Sequence, residues 1–379
     1  MTARRTPISA RRNVATALIL TAALVGPAAA KSAHHGAGRH AAQPAIEGVP
    51  RYKHIFVILE ENKDYGQIMD PAIAPNIADL AKTYGLATRF FGEVHPSEGN
   101  YVALLGGDTF GIHDDDAVIC KAGSTDPTCP GAGQVGYADH MVREPHLGDQ
   151  LAAAGLTWKG YYEDLPAPGS MAYVYDPHPE NAAHPLAYYA QKHSGFLTFV
   201  SVQNDPDRAK HIVGFDQLSA DLADEALPSF ALIVPNQCNE MHGLHGPGTP
   251  ADCDITQTGP LIKRGDGEIV GLVDRLRATA AWKSKDNMAI VITFDEGSQG
   301  SRLGCCAVTP NAPSNFGGGH IPTLVITNHG PRGVADATPY NHYSLLRTFE
   351  DAFGVTTHLR HAGDTALGVK AMTPLFKAP

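Results

Sequence analysis

The sequence predicts an α/β fold with a mostly parallel central sheet. Short apolar runs alternate with helix-like segments along most of the chain, which is the pattern of strands separated by helices. Three of the apolar runs lead into acids, amides or a histidine, as strands of an open sheet do at a ligand site. No internal repeat or Ser/Pro-rich linker divides the 379 residues, so one large domain is favoured over two smaller ones.

Four apolar runs are predicted to be buried parallel strands of this sheet. They cover residues 55–59, 230–234, 289–294 and 323–326. Four further segments are predicted to be helices, and they cover residues 76–84, 146–154, 267–281 and 342–353.

The N-terminus has the pattern of a cleaved signal peptide over residues 1–30. An apolar run at residues 14–25 precedes Ala28 and Ala30, which fill the two small-residue places of a cleavage site. The basic region before that run contains Arg4, Arg5, Arg11 and Arg12. An uncleaved anchor is the alternative, but the run is shorter than the roughly 20 residues that a membrane span needs. We expect a periplasmic or secreted protein without stable membrane insertion, exported by the Sec or the twin-arginine route.

The segment after the leader, residues 31–50, is rich in Ala, His, Gly and Pro and is predicted to be a disordered lead-in. Residues 51–379 are then the folded domain. The full chain has a formal charge of −10, and loss of a leader with four arginines and no acid brings it to −14. Such an acidic protein is a poor non-specific partner for nucleic acid. An anionic substrate would need local positive charge, which a bound metal cation can supply.

Six cysteines in an exported chain predict disulfides. Sequence alone leaves the pairing open, and the simplest arrangement joins neighbours: Cys120 with Cys129, Cys238 with Cys253, and Cys305 with Cys306. A bridge between adjacent residues needs a strained peptide link, so the last pair is the least secure. A zinc site is the competing interpretation, and the lack of Cys-x-x-Cys spacing counts against it.

Acids and amides follow two of the predicted strands. Glu61 and Asn62 follow the first, and Asp295 and Glu296 follow the third. Carboxylate and amide oxygens are hard ligands suited to a divalent cation, and without a cation two converging carboxylate pairs would repel each other. The pattern predicts a metal site, although either pair alone can also cap a helix or solvate a loop.

Ser97 lies in a turn flanked by proline and glycine. A serine at a helix start can face a ligand, and a metal that holds its oxygen can activate it as a nucleophile. The alternative is an ordinary helix N-cap, which the local sequence by itself favours. A Ser-His-Asp triad is disfavoured, because no Gly-x-Ser-x-Gly surrounds Ser97.

His242 and His320 are candidates for the second half of the site. His242 lies in the polar loop after residues 230–234, and His320 follows the glycines at 317–319, where backbone can approach a ligand closely. Each can be a metal ligand, a phosphate contact or the acid for a leaving group, or simply an exposed loop residue. His342, at the start of the last predicted helix, is expected only to cap it.

Five segments, taken in chain order, resemble the blocks of a known family. They are Glu61-Asn62-Lys63-Asp64-Tyr65, His95-Pro96-Ser97-Glu98-Gly99-Asn100-Tyr101, Pro235-Asn236 with Met241-His242, Thr293-Phe294-Asp295-Glu296-Gly297, and Asn341-His342-Tyr343-Ser344-Leu345-Leu346-Arg347-Thr348. The resemblance is to the bacterial phosphoesterases, which include AcpA-type acid phosphatases and non-haemolytic phospholipases C, and it spans residues 52–354. That family is alkaline-phosphatase-like, so the resemblance implies a three-layer α/β/α sandwich.

The resemblance also implies roles for individual residues. Ser97 matches a nucleophile that bridges to a metal, and Asn100 matches an asparagine that steadies the transferred phosphoryl group. His242 and His320 match histidines that face the second half of the site. The implied metal ligands are Glu61, Asn62, Ser97, Asp295 and Glu296. Two-zinc members of the superfamily carry a histidine in place of Glu296, so a single divalent ion of open identity is expected.

The sequence therefore predicts an exported, metal-dependent acid phosphatase that cleaves small-molecule or lipid phosphate monoesters through a phosphoserine. Phospholipase C is the first alternative, although such enzymes usually carry C-terminal domains for which the segment after Gly354 is too short. A phosphoinositide phosphatase is another. A non-enzymatic metal-binding or adhesion module, and a serine hydrolase indifferent to chelation, are the remaining alternatives.

Overall fold

The computed structural model describes residues 45–181, 183–307 and 316–377. The predicted signal peptide and most of the predicted lead-in lie outside these residues. The described end of the lead-in is packed onto the fold, since Val49 is fully buried and Arg347 Nε donates to Glu47 Oε2 at 2.9 Å. The prediction of disorder is therefore wrong for residues 45–50, which apolar burial and an ion pair hold in place.

The strands are β1 (His54–Glu60), β2 (Gly85–Phe91), β3 (Trp158–Tyr162), β4 (Val174–Tyr175), β5 (Tyr189–Ala190), β6 (Ile212–Gly214), β7 (Phe230–Val234), β8 (Met288–Phe294), β9 (His320–Thr327), β10 (Val334–Asp336) and β11 (Tyr340–Asn341). Within the described ranges, nine of them form a central sheet in the order β10-β2-β9-β8-β1-β7-β3-β6, and β11 also pairs with β2. The strands β4 and β5 form a separate antiparallel pair.

Most neighbours in the central sheet are parallel, as predicted. The exception is β9, which is antiparallel to both β8 and β2. The parallel orientation expected for the run at residues 323–326 is therefore wrong. Parallel neighbours need a crossover, usually a helix, and the described part of the connection from β8 to β9 contains none.

The helices are α1 (Tyr65–Ile68), α2 (Pro75–Thr83), α3 (Glu98–Gly106), α4 (Leu147–Ala153), α5 (Val200–Gln203), α6 (Arg208–His211), α7 (Phe215–Ala223), α8 (Thr258–Ala278), α9 (Ala280–Lys283), α10 (His342–Phe353) and α11 (Thr373–Phe376). The predicted helices correspond to α2, α4, α8 and α10. Of these, α8 begins well before the predicted start at residue 267. None of the described helices is both long and apolar enough to span a membrane.

Helices cover the sheet on both faces. Every residue of β1, β7 and β8 is buried, which requires apolar cover on either side of these strands. One helix group consists of α2 and α8, which contact each other, and another consists of α3, α4 and α10. The predicted α/β/α architecture with a mostly parallel sheet is confirmed.

The predicted ligand-bearing strands lie next to one another. The central strand β1 has β8 on one side and β7 on the other, with Glu60 opposite Phe294 and Ile58 opposite Ile233. The segments that follow these three strands therefore leave the sheet at the same edge, which is the predicted location of the site.

All six cysteines form disulfides, and each pairs with its neighbour in sequence. The bridges are Cys120–Cys129, Cys238–Cys253 and Cys305–Cys306. The local pairing, including the bridge between adjacent residues, is confirmed, and the competing zinc interpretation is wrong because all six thiols are used.

Candidate active site

The turn that carries Ser97 joins β2 to α3 and is braced by Asn100. The amide oxygen of Asn100 accepts hydrogen bonds from the backbone N–H groups of Glu93 and Val94, at 2.8 and 3.1 Å. Its amide nitrogen donates to Val94 O at 2.9 Å. Both ends of the amide are thus engaged in positioning the turn, and the contact with a phosphoryl group predicted for Asn100 stays a prediction.

Ser97 does not cap the helix that it precedes. Its side chain makes no capping hydrogen bond to α3, and its hydroxyl donates instead to Glu61 Oε2 at 3.0 Å. Only 1% of Ser97 is exposed. The N-cap interpretation is therefore wrong, and the hydroxyl is aimed at a buried acid.

Glu61 is fully buried and makes contacts through both carboxylate oxygens. Oε2 accepts from Ser97 and, at 2.8 Å, from the side-chain amide of Asn62. Oε1 accepts from the Tyr101 hydroxyl at 2.6 Å and lies 3.1 Å from His193 Nε2. Burial raises the pKa of this carboxyl well above its ordinary value, so the site favours a neighbouring cation.

Asn62 and Asp295 bring further oxygen atoms to Ser97 and Glu61. The backbone N–H of Asn62 donates to Asp295 Oδ1 at 3.0 Å. Asn62 has a φ of 57°, in the left-handed region that asparagine tolerates better than most residues. Burial raises the pKa of Asp295 to about 6. In the described part of the chain, no donor reaches Asn62 Oδ1 or Asp295 Oδ2, although both are buried.

We call Asn62, Ser97 and Asp295 the oxygen side of the site. Together with Glu61 they offer carboxylate, amide and hydroxyl oxygens, the donor set that a hard divalent cation prefers. A buried oxygen without a donor is costly, and coordination to a cation would offset that cost at Asn62 Oδ1 or at Asp295 Oδ2. These four residues therefore fit the predicted metal.

Glu296 is placed differently from the other predicted ligands. It is fully buried and forms an ion pair with His95 Nδ1. Among the described acids, histidines and cysteines, the group whose ligand atoms lie within 4.8 Å of one another consists of Glu61, His193 and His242. The structure thus pairs Glu296 with His95, two residues before Ser97, and Glu296 and Asp295 both lie outside that group, so the role of Glu296 as a metal ligand stays a prediction.

A second set of residues meets the other oxygen of Glu61. His193 is buried between two acids, with Nε2 near Glu61 Oε1 and Nδ1 2.7 Å from Glu240 Oε1. Beside it, Lys192 Nζ donates to Asp115 Oδ2 at 2.8 Å. We call Lys192, His193 and His242 the basic side of the site.

The position of His242 agrees with its predicted place in the second half of the site. Its Nε2 lies 3.5 Å from Lys192 Nζ, and its Nδ1 lies 2.8 Å from Gly243 O. Burial and the charge of Lys192 lower the pKa of His242 to about 4. The ring also lines a cleft of about 340 Å³ together with Asn62 of the oxygen side and Ser298.

His320 is not joined to either side by the contacts that the described residues make. Its ring stacks on Tyr65, with centroids 4.5 Å apart, and its Nε2 lies 2.9 Å from Thr88 O. Burial lowers its pKa. These contacts hold the ring against β2 and α1, and they give no support to the catalytic role predicted for His320.

His342 does more than the predicted capping. Asn341 caps α10, because its side-chain oxygen accepts from Ser344 N at 3.1 Å. His342 is fully buried, pairs with Glu93 and places Nε2 2.9 Å from Phe294 O. It therefore supports the end of β8, directly before Asp295.

The sequence did not identify Lys192 and His193 as site residues, because they follow no predicted strand. One signal was present. Residues 185–204 contain a single Asp, Glu, Lys or Arg, which is Lys192, and a histidine follows it directly. A charged residue in such an apolar stretch is either exposed or paired, and here it is paired.

Comparisons with known proteins identify the family of this chain. Residues 67–356 match the model of the Phosphoesterase family. A phosphatidylinositol-3-phosphatase from Mycobacterium tuberculosis is 28% identical over 82% of this chain and 80% of its own length. An acid phosphatase from Aspergillus fumigatus is also 28% identical over 82% of this chain, which spans 56% of that protein. A solved protein of the alkaline phosphatase superfamily from Vibrio parahaemolyticus has a TM-score of 0.48, at 14% identity, over 82% of this chain and 68% of its own.

Proposed function

Because the chain belongs to the Phosphoesterase family, which makes it a phosphoric ester hydrolase, we propose that it is an exported, metal-dependent acid phosphatase. It would cleave phosphate monoesters through a phosphoserine at Ser97. The observation that carries the proposal is the buried Ser97 hydroxyl, which donates to Glu61 among oxygen atoms suited to a divalent ion. The acid phosphatase from Aspergillus fumigatus supports the choice of reaction.

In the first step, Ser97 Oγ bonds to phosphorus while the bond to the leaving oxygen breaks, and the electron pair departs on that oxygen. Glu61 Oε2 accepts the hydrogen bond of Ser97 and is placed to take its proton. A divalent ion held by Glu61, Asn62, Ser97 and Asp295 would supply positive charge that favours the alkoxide and offsets charge on the transferred group.

The leaving oxygen needs a proton, and His242 is placed to supply it from the cleft. Its lowered pKa of about 4 means that the protonated form is present below that pH and is lost as the pH rises through it. An acid with this pKa is most useful under acidic conditions, which supports an acid phosphatase. Water then attacks the phosphoserine, the bond between phosphorus and Ser97 Oγ breaks, and the serine oxygen recovers its proton from Glu61, while His242, deprotonated in the first step, takes up a proton from that water.

A phosphoinositide is a second candidate substrate. The phosphatidylinositol-3-phosphatase from Mycobacterium tuberculosis is matched over most of its length, and the group that its name places on the lipid is also a phosphate monoester. Export is supported by the three disulfides, since such bridges persist in oxidising compartments.

A panel of esters tests the proposal. Wild type and Ser97→Ala would be assayed on 4-nitrophenyl phosphate, 4-nitrophenyl phosphocholine and phosphatidylinositol 3-phosphate, with and without added divalent ions. We expect metal-dependent turnover of the first, the third or both, and none by Ser97→Ala. A preference of the wild type for the phosphocholine ester would indicate phospholipase C, and full activity after exhaustive chelation would contradict the metal.

A further inference from the structure

The ammonium of Lys192 differs from that of the other lysine near Glu61. Lys63 Nζ also makes two hydrogen bonds, but both are to backbone carbonyls, Met241 O at 2.6 Å and Asn62 O at 3.3 Å, and neither partner is charged. Lys192 Nζ contacts Asp115 and His242, and across residues 45–181, 183–307 and 316–377 no acceptor takes its third proton. Lys192 therefore has a donor to spare beside a histidine that lines the cleft.

Lys192 is a cation although it is largely buried. Burial favours the neutral amine, but Asp115 and Glu61 outweigh it and raise the pKa of Lys192 above its ordinary value. Its side chain is 19% exposed, so the charge is little screened by solvent. A charge-assisted hydrogen bond from such a group is worth more than one at the surface.

The position of this ammonium is fixed relative to the nucleophile. Asp115 Oδ2 accepts from Lys192, and Asp115 Oδ1 accepts, at 3.3 Å, from the backbone N–H of Glu98, the residue after Ser97. One carboxylate thus links the cation to the turn that carries the nucleophile.

The loop that carries Asp115 is held on both sides. Asp114 contacts His140 Nε2 at 2.8 Å, and the same ring contacts Glu98 at 2.9 Å. Asp116 accepts from the Tyr137 hydroxyl at 3.0 Å. Asp115 is therefore a rigid support for Lys192 and not a mobile surface acid.

Phosphate monoesters and diesters differ in the negative charge that they bring to the site. The transferred group of a monoester has three non-bridging oxygens and up to two negative charges, whereas a diester has two such oxygens and one charge. An ion on the oxygen side is balanced in part by Glu61 and Asp295. The added anionic oxygen of a monoester needs a further cation, and Lys192 supplies one on the basic side.

We propose that Lys192, positioned by Asp115, binds the additional anionic oxygen of a phosphate monoester and makes the enzyme select monoesters over diesters. The proposal rests on the phosphatase function proposed above. In this proposal Lys192 sets the substrate class, whereas the oxygen side, which includes Ser97, would act on either class of ester.

The test compares two substrates with the same leaving group, 4-nitrophenyl phosphate and bis(4-nitrophenyl) phosphate. The variants are Lys192→Met, Lys192→Arg, Asp115→Asn and Asp115→Glu. Lys53→Met is the matched control, because it removes an exposed lysine that pairs with Asp286 at 3.1 Å. We expect Lys192→Met to lower the ratio of monoester to diester kcat/KM by about 30-fold, the worth of one charge-assisted hydrogen bond.

The other variants sharpen that result. Asp115→Asn should lower the same ratio by a smaller factor, and Lys192→Arg and Asp115→Glu should restore part of it. Lys53→Met should leave the ratio unchanged. An equal loss on both substrates in Lys192→Met, with unchanged thermal unfolding, would overturn the proposal.

Binding measurements test the role of Lys192 independently of the proposed catalysis. Titration calorimetry with inorganic phosphate at mildly alkaline pH, where it is mainly a dianion, should show weaker binding to Lys192→Met than to wild type. Binding of dimethyl phosphate, a monoanion, should not change. If Lys192→Met binds each of the two probes as tightly as wild type does, the proposal is overturned even if turnover is observed. Activity of Ser97→Ala would instead contradict the proposed function, and it would not change these binding results.

A second metal ion is the competing occupant of the basic side. Glu61, His193 and His242 have ligand atoms close enough to hold one. Elemental analysis that finds two divalent ions per chain in wild type, and one in His193→Gln, would overturn the role of Lys192. One ion in both proteins supports it.

Discussion

The two sides of the site share Glu61 but are built in different ways. The oxygen side comes from the ends of two neighbouring strands and the turn after a third, so the sheet itself sets its geometry. The basic side comes from a short 3-10 helix, Gln191–His193, and from the loop after β7, and side-chain contacts such as Lys192 to Asp115 hold it. Under the proposed function, the sheet would determine where a metal is held, whereas these side-chain contacts would determine which ester is accepted.

The largest expected effect is on the oxygen side. Ser97→Ala should lower kcat by at least about 1,000-fold, because it removes the attacking atom and not just one charge-stabilising donor, whose loss costs about 100- to 1,000-fold. Steady-state assay on 4-nitrophenyl phosphate measures this. Ser344→Ala, at another buried serine near a helix start, is the matched control, and comparable losses in both variants would show that folding is at fault.

The next largest effect is a difference in bound metal and kcat between variants of two acids, Glu61 and Glu240. Glu61→Gln should lose bound metal and about 100-fold in kcat, because it removes an anionic ligand. Glu240→Gln, at the acid that contacts His193 on the basic side, should keep the metal and lose only about tenfold in kcat. Elemental analysis and kinetics on the same preparations measure both, and retention of metal by Glu61→Gln would contradict the proposed ligand set.

A smaller effect concerns stability and the support of the basic side. His140 is fully buried between Glu98 and Asp114, and hydrogen bonds and charge from these acids outweigh desolvation and raise its pKa to about 10. Because its pKa is raised in the folded state, protonated His140 stabilises the fold. This stabilisation is complete below the unfolded-state pKa, near 6.5, and is lost as the pH rises through the folded-state pKa of about 10.

His140→Ala should accordingly destabilise the protein by about 3 kcal/mol at pH values below about 6.5, since it leaves the buried Glu98 and the partly buried Asp114 without their partner. Urea unfolding at a series of pH values measures the difference in free energy from wild type. The difference should shrink as the pH approaches 10. A constant difference across the window would show that His140 is neutral in the folded state.

The smallest effect is expected at His320. His320→Asn should change kcat/KM by less than about threefold, because a group that does not reach the transition state does not stabilise it. Assay beside His242→Asn, which lines the cleft and should lose more, measures the contrast. A larger loss in His320→Asn than in His242→Asn would reverse the roles that the contacts indicate.

The sequence predicted where the oxygen-side residues lie, because their positions follow from local sequence patterns. Apolar runs specify buried strands, strand order places their carboxyl ends together, and Glu61, Asn62 and Asp295 directly follow two of them. The resemblance to the phosphoesterases added Ser97, which local sequence alone would have made a helix cap. The orientation of β9 was missed, since an apolar run has no direction.

Of the basic side, the sequence predicted only His242, because Lys192 and His193 are defined by long-range contacts. Lys192 is recognisable only through Asp115, a residue far away in sequence, and His193 only through two acids from different strand ends. The role of Glu296 as a metal ligand stays a prediction, and the sequence did not predict that its side chain pairs with His95. Pairing of this kind depends on side-chain direction, which a strand-end pattern does not contain.

The central claim is that Ser97 carries the phosphoryl group, and acid quenching during turnover tests it most directly. Wild type with divalent ion and 4-nitrophenyl phosphate would be quenched, digested and analysed by mass spectrometry. We predict one phosphoryl group on the peptide that contains Ser97, and none after exhaustive chelation or in Ser97→Ala. A phosphoryl group on His193 or His242, or active turnover without any phosphorylated peptide, would contradict the account.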